Sequence, residues 1–122
     1  MTAERTVTVP TVDQGNVTIT EPSWCTGHEG QVPHLLSDTG HIGAPHRAKF
    51  DGEELAFAAL SQDPFAVKSD RGVGVHVEMG ALACSLSPSE LDDLAVVLVN
   101  YAGTLRHLAR QLSALRAGGE GR

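Results

Sequence analysis

The stretch PSWCTGHEGQVPHLLSDTGHIGAPH, residues 22 to 46, carries one of the chain's two cysteines, its single tryptophan and four of its six histidines. Thiolate and imidazole are the ligands of structural zinc, which takes four of them in a tetrahedron, commonly as two spaced pairs. Cys25-x2-His28 is one such pair and His41-x4-His46 the other, twelve residues further on. The spacing equals that of a zinc finger whose second Cys is His, but a finger needs a helix under its second pair. SDTGHIGAPH, with two glycines and a proline, does not form one. The candidate ligands are therefore Cys25, His28, His41 and His46, in a loop. His34 and Asp38 compete for the fourth place, and Asp38 is alternatively the acceptor that orients His41, as metal-bound imidazoles require. Trp24 is placed beside the site as an apolar lid. Zn2+ suits this donor set better than iron or copper.

The loop needs such a tie. Residues 21–46 contain four Gly and three Pro with no periodicity, and a structureless segment of that length is uncommon in a compact domain. Left disordered, it would strand Trp24, Val32, Leu35, Leu36 and Ile42 outside any core.

Around the loop the sequence prescribes ordinary elements. RTVTVP (5–10) and NVTIT (16–20) alternate Thr with Val or Ile, the pattern of half-buried strands, and Gly15 ends the turn between them. HRAKF (46–50) and ELAFAAL (54–60) flank Asp51-Gly52, a strong hairpin signal. GVGVHVEM (72–79) places Val73, Val75 and Val77 on one face, and His76 with Glu78 on the other. ALACSL (81–86) reads as one more short strand, with Cys84 as a buried small hydrophobe. Ser87-Pro88-Ser89-Glu90 then opens a helix: Ser as N-cap, Pro in the first turn, Glu closing a capping box. That helix runs over 88–117 to Gly118-Gly119.

The expected fold is α+β: a small antiparallel sheet of five or six short strands packed on one long C-terminal helix, with the Cys/His loop (22–46) at its side. Residues 5–117 form one domain, between a disordered start (1–4) and a disordered tail (118–122). The chain's 122 residues suit one domain, and its aromatic content of 4% leaves the core to aliphatic side chains.

The helix carries Leu91, Leu94, Leu98, Tyr101, Leu105, Leu108, Leu112 and Leu115 at alternating spacings of three and four, a heptad seam. Ala95, Ala102 and Ala109 widen it, as on a helix lying against a sheet. Thirty residues span about 45 Å, whereas a five-residue strand spans about 17 Å. The first half is therefore expected to pack on the sheet and the second half to meet a second subunit, with Leu98, Tyr101, Leu105, Leu108, Leu112 and Leu115 as the dimer or core residues; the alternative is packing within the chain throughout, with a kink or break near Gly103.

A formal net charge of -6 argues against a large nucleic-acid footprint, although Arg106, Arg110 and Arg116 gather near the C-terminus. MTAERTVTVP lacks the apolar stretch of a secretory leader, and no apolar run reaches the roughly eighteen residues of a membrane span. The expectation is a cytoplasmic protein with reduced cysteines and no membrane partner. Neither H-E-x-x-H nor G-x-S-x-G is present.

With P-S-W-C-x-x-H, then D-x-x-H, then L-S-P-S-E-L opening a long helix, the chain resembles a group of short uncharacterised actinobacterial proteins. The resemblance covers most of residues 5 to 110. It marks Trp24, Cys25, His28, Asp38 and His41, leaves out His34 and His46, and implies no activity. The leading functional reading is a non-enzymatic, zinc-stapled protein-interaction module that forms a homodimer through its helix. The alternatives are a metal-assisted hydrolase with an open zinc position, with Asp38 or Glu29 as base, and a DNA-associated regulator.

Overall fold

Alternating Thr and Val side chains build the first element. In the computed structural model, which describes residues 5–68 and 70–118, β1 (Arg5–Thr11) and β2 (Gly15–Glu21) pair antiparallel, from Arg5 opposite Glu21 to Thr11 opposite Gly15. Val9 and Ile19 are buried on one face, while Thr8 and Thr18 hydrogen-bond across the exposed face at 2.8 Å. The inward face is continued by Glu21, two residues beyond Ile19, and it too is buried.

The second sheet is built around β5 (Glu53–Gln62). On one side β5 pairs with β4 (His46–Phe50) and, beyond it, with β3 (His41–Ile42); on the other it pairs with β6 (Gly74–Met79), all antiparallel. Asp51 and Gly52, both at positive φ (50° and 81°), make the tight turn from β4 to β5, a geometry in which both central residues are left-handed. β5 is ten residues long, longer than the sequence pattern suggested, and so spans about 33 Å.

Residues 81–86, expected as a strand, have no strand assignment; Leu82 turns inward onto the core while Cys84 is exposed rather than buried. The helix α1 (Pro88–Ala117) begins on the anticipated capping box: the Ser87 hydroxyl accepts from the Glu90 N–H, and the Glu90 carboxylate accepts from the Ser87 N–H. The expected start over 1–4, and all of the expected tail except Gly118, lie outside the described residues.

The helix lies on β4, β5 and β6. Tyr101 and Leu108 are buried against Ala48, Leu55, Ala56, Ala58, Leu60 and Val73, with Leu94, Val97, Leu112 and Leu115 beside them. The Tyr101 hydroxyl donates to the His46 carbonyl at 2.8 Å. Arg116, one of the three arginines gathered near the C-terminus, donates twice to the Val73 carbonyl at 3.1 and 2.8 Å. The packed stripe thus runs from 94 to 115, because the helix lies across β4, β5 and β6 together and is tied at Tyr101 to β4 and at Arg116 to the segment entering β6. Leu98 and Leu105 belong to a different face and are exposed. The apolar surface is divided around the helix, not between its halves as the heptad reading had it. The α+β class and the long C-terminal helix are as expected.

Candidate metal centre

The chain leaves β2 at Glu21, crosses 22–40 and enters the second sheet at His41. Several bonds hold that crossing. Arg5 donates to the Pro22 carbonyl at 3.0 Å, the Asp13 carboxylate accepts from the Leu36 N–H at 2.9 Å, and the Val12 N–H donates to the His34 carbonyl at 2.8 Å. The Thr26 N–H donates to the Ile42 carbonyl at 3.0 Å. A single turn of 3₁₀ helix, Leu36–Asp38, is its only helical part.

Four side chains converge where the two sheets meet. One donor atom each of Glu21, Cys25, His28 and His41 lies within 4.8 Å of all the others. Around His28 Nε2 stand Cys25 Sγ at 3.6 Å, His41 Nδ1 at 3.3 Å and Glu21 Oε1 at 2.8 Å; Glu21 Oε1 lies 3.8 Å from His41 Nδ1. For Zn–S of about 2.3 Å and Zn–N of about 2.0–2.1 Å, a tetrahedron separates S from N by about 3.6 Å and N from N by about 3.3 Å. The Cys–His and His–His separations match these edges. The two Glu21 distances straddle the oxygen–nitrogen edge of about 3.3 Å.

The surroundings suit a cation. His28 Nδ1 sits 2.6 Å from Gln31 Oε1, so the ring proton belongs on Nδ1 and a neutral His28 turns a bare lone pair toward the thiol, the second imidazole and the carboxylate. Glu21 Oε1 is buried and, despite its closeness to His28, has no aligned hydrogen bond. Electron-rich atoms so placed repel one another unless a proton or a metal lies between them.

Burial, and then the neighbouring His28, holds His41 below the ordinary imidazole value; the Glu21 carboxylate, and after it a hydrogen bond to the Thr20 backbone, work in the opposite direction. Burial, and then the Glu21 side chain, pushes the Cys25 thiol up, so a bound cation would have to displace its proton. The Gly27 N–H points at Cys25 Sγ from 3.5 Å and favours the thiolate. Gly27 adopts a φ of 108°, closed to most side chains, to do so. Trp24 packs edge-on to His41, ring centroids 6.3 Å apart, and also touches the core.

The structure brings Cys25, His28 and His41 together and leaves the other candidates apart. His46 pairs with Ala58 in β4, and its side chain lines a cleft of about 170 Å³ with Trp24 and Leu108. His34 is exposed, bridged by its backbone to Thr11. Asp38 is exposed at a second cleft, of about 460 Å³, and is not the acceptor for His41. The place expected for His46 is taken by Glu21. Its signal in the sequence was the strand alternation: Val17, Ile19 and Glu21 share one face, and a carboxylate on a buried face needs a partner.

One family model, a domain of unknown function designated DUF6907, matches residues 6–114. The chain belongs to the DUF6907 family. No curated protein and no solved structure matches it. The DUF6907 match spans both sheets, the four converging side chains and most of the helix, so the arrangement lies within the family domain.

Proposed function

We propose that this DUF6907 chain is a structural zinc module. Glu21, Cys25, His28 and His41 are its ligands, the metal fastens the β1–β2 hairpin to the sheet-and-helix body, and the helix serves a protein partner. The observation that carries this reading is the set of inter-donor distances, 3.6 and 3.3 Å about His28 Nε2, with a buried carboxylate oxygen left without a hydrogen bond. The W-C-x-x-H segment supplies two ligands and the lid, and the D-x-x-H segment supplies His41.

A closed structural site fits better than a hydrolytic one. Catalytic zinc keeps three protein ligands and an open position, whereas four protein donors converge here. The side chains of Glu21, His28 and His41 are only 7%, 6% and 2% exposed, and neither cleft is lined by any of the four. DNA association is disfavoured by the net charge of -6 and by the commitment of Arg116 to the Val73 carbonyl.

The test is elemental analysis of untagged protein, with Cys25→Ser and His41→Ala beside it. One zinc per chain, lost in both variants together with thermal stability, is expected. A metal-free protein whose variants melt unchanged would end the proposal.

A further inference from the structure

The helix has a second apolar stripe that its own sheet leaves bare. Leu91, Leu98 and Leu105 recur every seven residues; Ala95, Ala102 and Ala109 stand four residues after each. Together they form a seam of alternating four and three spacings, displaced by roughly a quarter-turn from the stripe of Leu94, Tyr101 and Leu108 that meets the sheet. Leu91 is 55%, Leu98 50% and Leu105 36% exposed, and Val99 on its outer flank 71%. From 91 to 109 the seam is about 27 Å long. A continuous apolar strip of this kind on a small domain marks an interface.

Resting on the reading of the helix as an interaction element, we infer that the occupant of this strip is a second copy of the same chain, its helix antiparallel to the first. Two features of the strip select that partner and that direction. A dyad midway between Leu98 and Ala102 sets Leu91 against Ala109, Leu98 against Ala102 and Leu105 against Ala95. Every large side chain then meets a small one, which lets the two backbones approach closely and fills the seam without voids. A parallel pair would instead stack Ala on Ala in every second layer.

The charges agree. Asp92 lies at the N-terminal end of the seam's solvated flank, and Arg106 and Arg110 at the C-terminal end of the same flank. All three are exposed, and none forms an ion pair among the described residues. About the same dyad, Asp92 of one helix falls between Arg106 and Arg110 of the other, twice over. In a parallel pair this flank would instead face the partner's other flank, that of Leu94, Tyr101 and Leu108, which is turned to the sheet and offers no charge; charges flanking a helical seam set the direction of pairing. The zinc ligands lie off the helix, so pairing and metal binding are separate properties.

The experiment is sedimentation equilibrium and light scattering on the full-length protein at micromolar concentration, with zinc counted on the same samples. Unmodified protein is expected at twice the chain mass of 12.8 kDa. Leu98→Glu and Ala102→Glu, both at exposed positions, are each expected to give monomers with helical circular dichroism and zinc content unchanged. Asp92→Arg alone, and Arg106→Glu with Arg110→Glu, should each weaken association at least tenfold. Combining all three should restore it to within about threefold. A monomeric wild type overturns the inference and leaves the zinc reading standing. A dimer indifferent to both seam variants overturns the face, and failure of the combined reversal to restore pairing overturns the antiparallel direction. Loss of zinc with a dimer intact would count against the metal centre alone.

Discussion

His28 sits at the centre of the cluster, and its two ring nitrogens do different work. Nδ1 is held by Gln31 at 2.6 Å, which fixes the ring so that Nε2 faces the other three donors. Such outer contacts orient a ligand, and losing one typically weakens metal affinity 10–100-fold. Gln31→Ala should therefore lower zinc affinity by about that factor, read in a chelator competition, while the apo protein melts unchanged; an affinity equal to wild type would show that Gln31 does not orient the site. Gly40, next to His41, is a second sensitive position. A Cβ there would lie 2.5 Å from Asp63 Oδ1 and 2.7 Å from the Gln62 carbonyl, and the carbonyl belongs to β5 and cannot swing aside. Gly40→Ala should cost about 1–3 kcal/mol, the usual range for overpacking, measured by chemical denaturation, and should reduce zinc occupancy by displacing His41. The convergence of Cys25, His28 and His41 could be anticipated from side-chain chemistry and spacing, although the same spacing put His46 with them and the structure places it apart. Glu21 was signalled only by the strand alternation that buries it beside Val17 and Ile19; a lone carboxylate in a Thr/Val strand has no ligand spacing, and it joins the cluster because β2, through its register with β1, ends where the chain returns at His41.

The elements whose local signals agree formed as their residues suggest. The Asp51-Gly52 hairpin has the turn its dipeptide favours, and the α1 cap has its box. ALACSL failed as a strand because apolar content alone does not supply a pairing partner: the Gly80 N–H stays bonded to the Leu55 carbonyl at 2.7 Å, so the chain runs on past β6 instead of turning back to pair with it, and 81–86 is left to lead into the helix. The division of the heptad seam was likewise out of reach, since a repeat shows which residues are apolar and not which of two adjacent faces a sheet will cover. The cap itself is testable. Ser87→Ala removes the hydroxyl that accepts from the Glu90 N–H and should cost about 1 kcal/mol. The hydrogen bonds from Ser87 hold the Glu90 carboxyl below its ordinary value of 4.5. A group depressed in the folded state stabilises fully above its unfolded value and loses that contribution as the pH falls through the folded one. The stability gap between wild type and Glu90→Gln should therefore be open at neutral pH and shrink on acidification below 4.5. A gap that is constant with pH would show that the carboxylate charge plays no part in the cap.

In the molecule as a whole, the two sheets have very different support. β5 is flanked on both sides and covered by the helix, so its strands share the main core. The β1–β2 hairpin forms a sheet of its own, and it joins the body mainly through segment 22–40 and the four-residue cluster. A lone two-stranded hairpin is marginal in water, so its order should depend on whatever closes that cluster. If zinc binds only the folded form, saturating it a thousandfold above its dissociation constant adds about 4 kcal/mol, and that increment should fall on the hairpin and the crossing segment rather than evenly over the chain. Hydrogen exchange with and without a chelator measures this directly. Amides of β1, β2 and residues 22–40 are expected to lose protection when the metal is stripped, while β5 and the buried part of α1 around Tyr101 and Leu108 keep theirs. Thermal unfolding should pass from one transition to two for the same reason. If protection fell evenly across β5 and the hairpin, the metal would be supporting the global core, and if it fell nowhere, the crossing segment's own hydrogen bonds, from Arg5, Val12, Thr26 and Leu36, would be enough to hold the two sheets together.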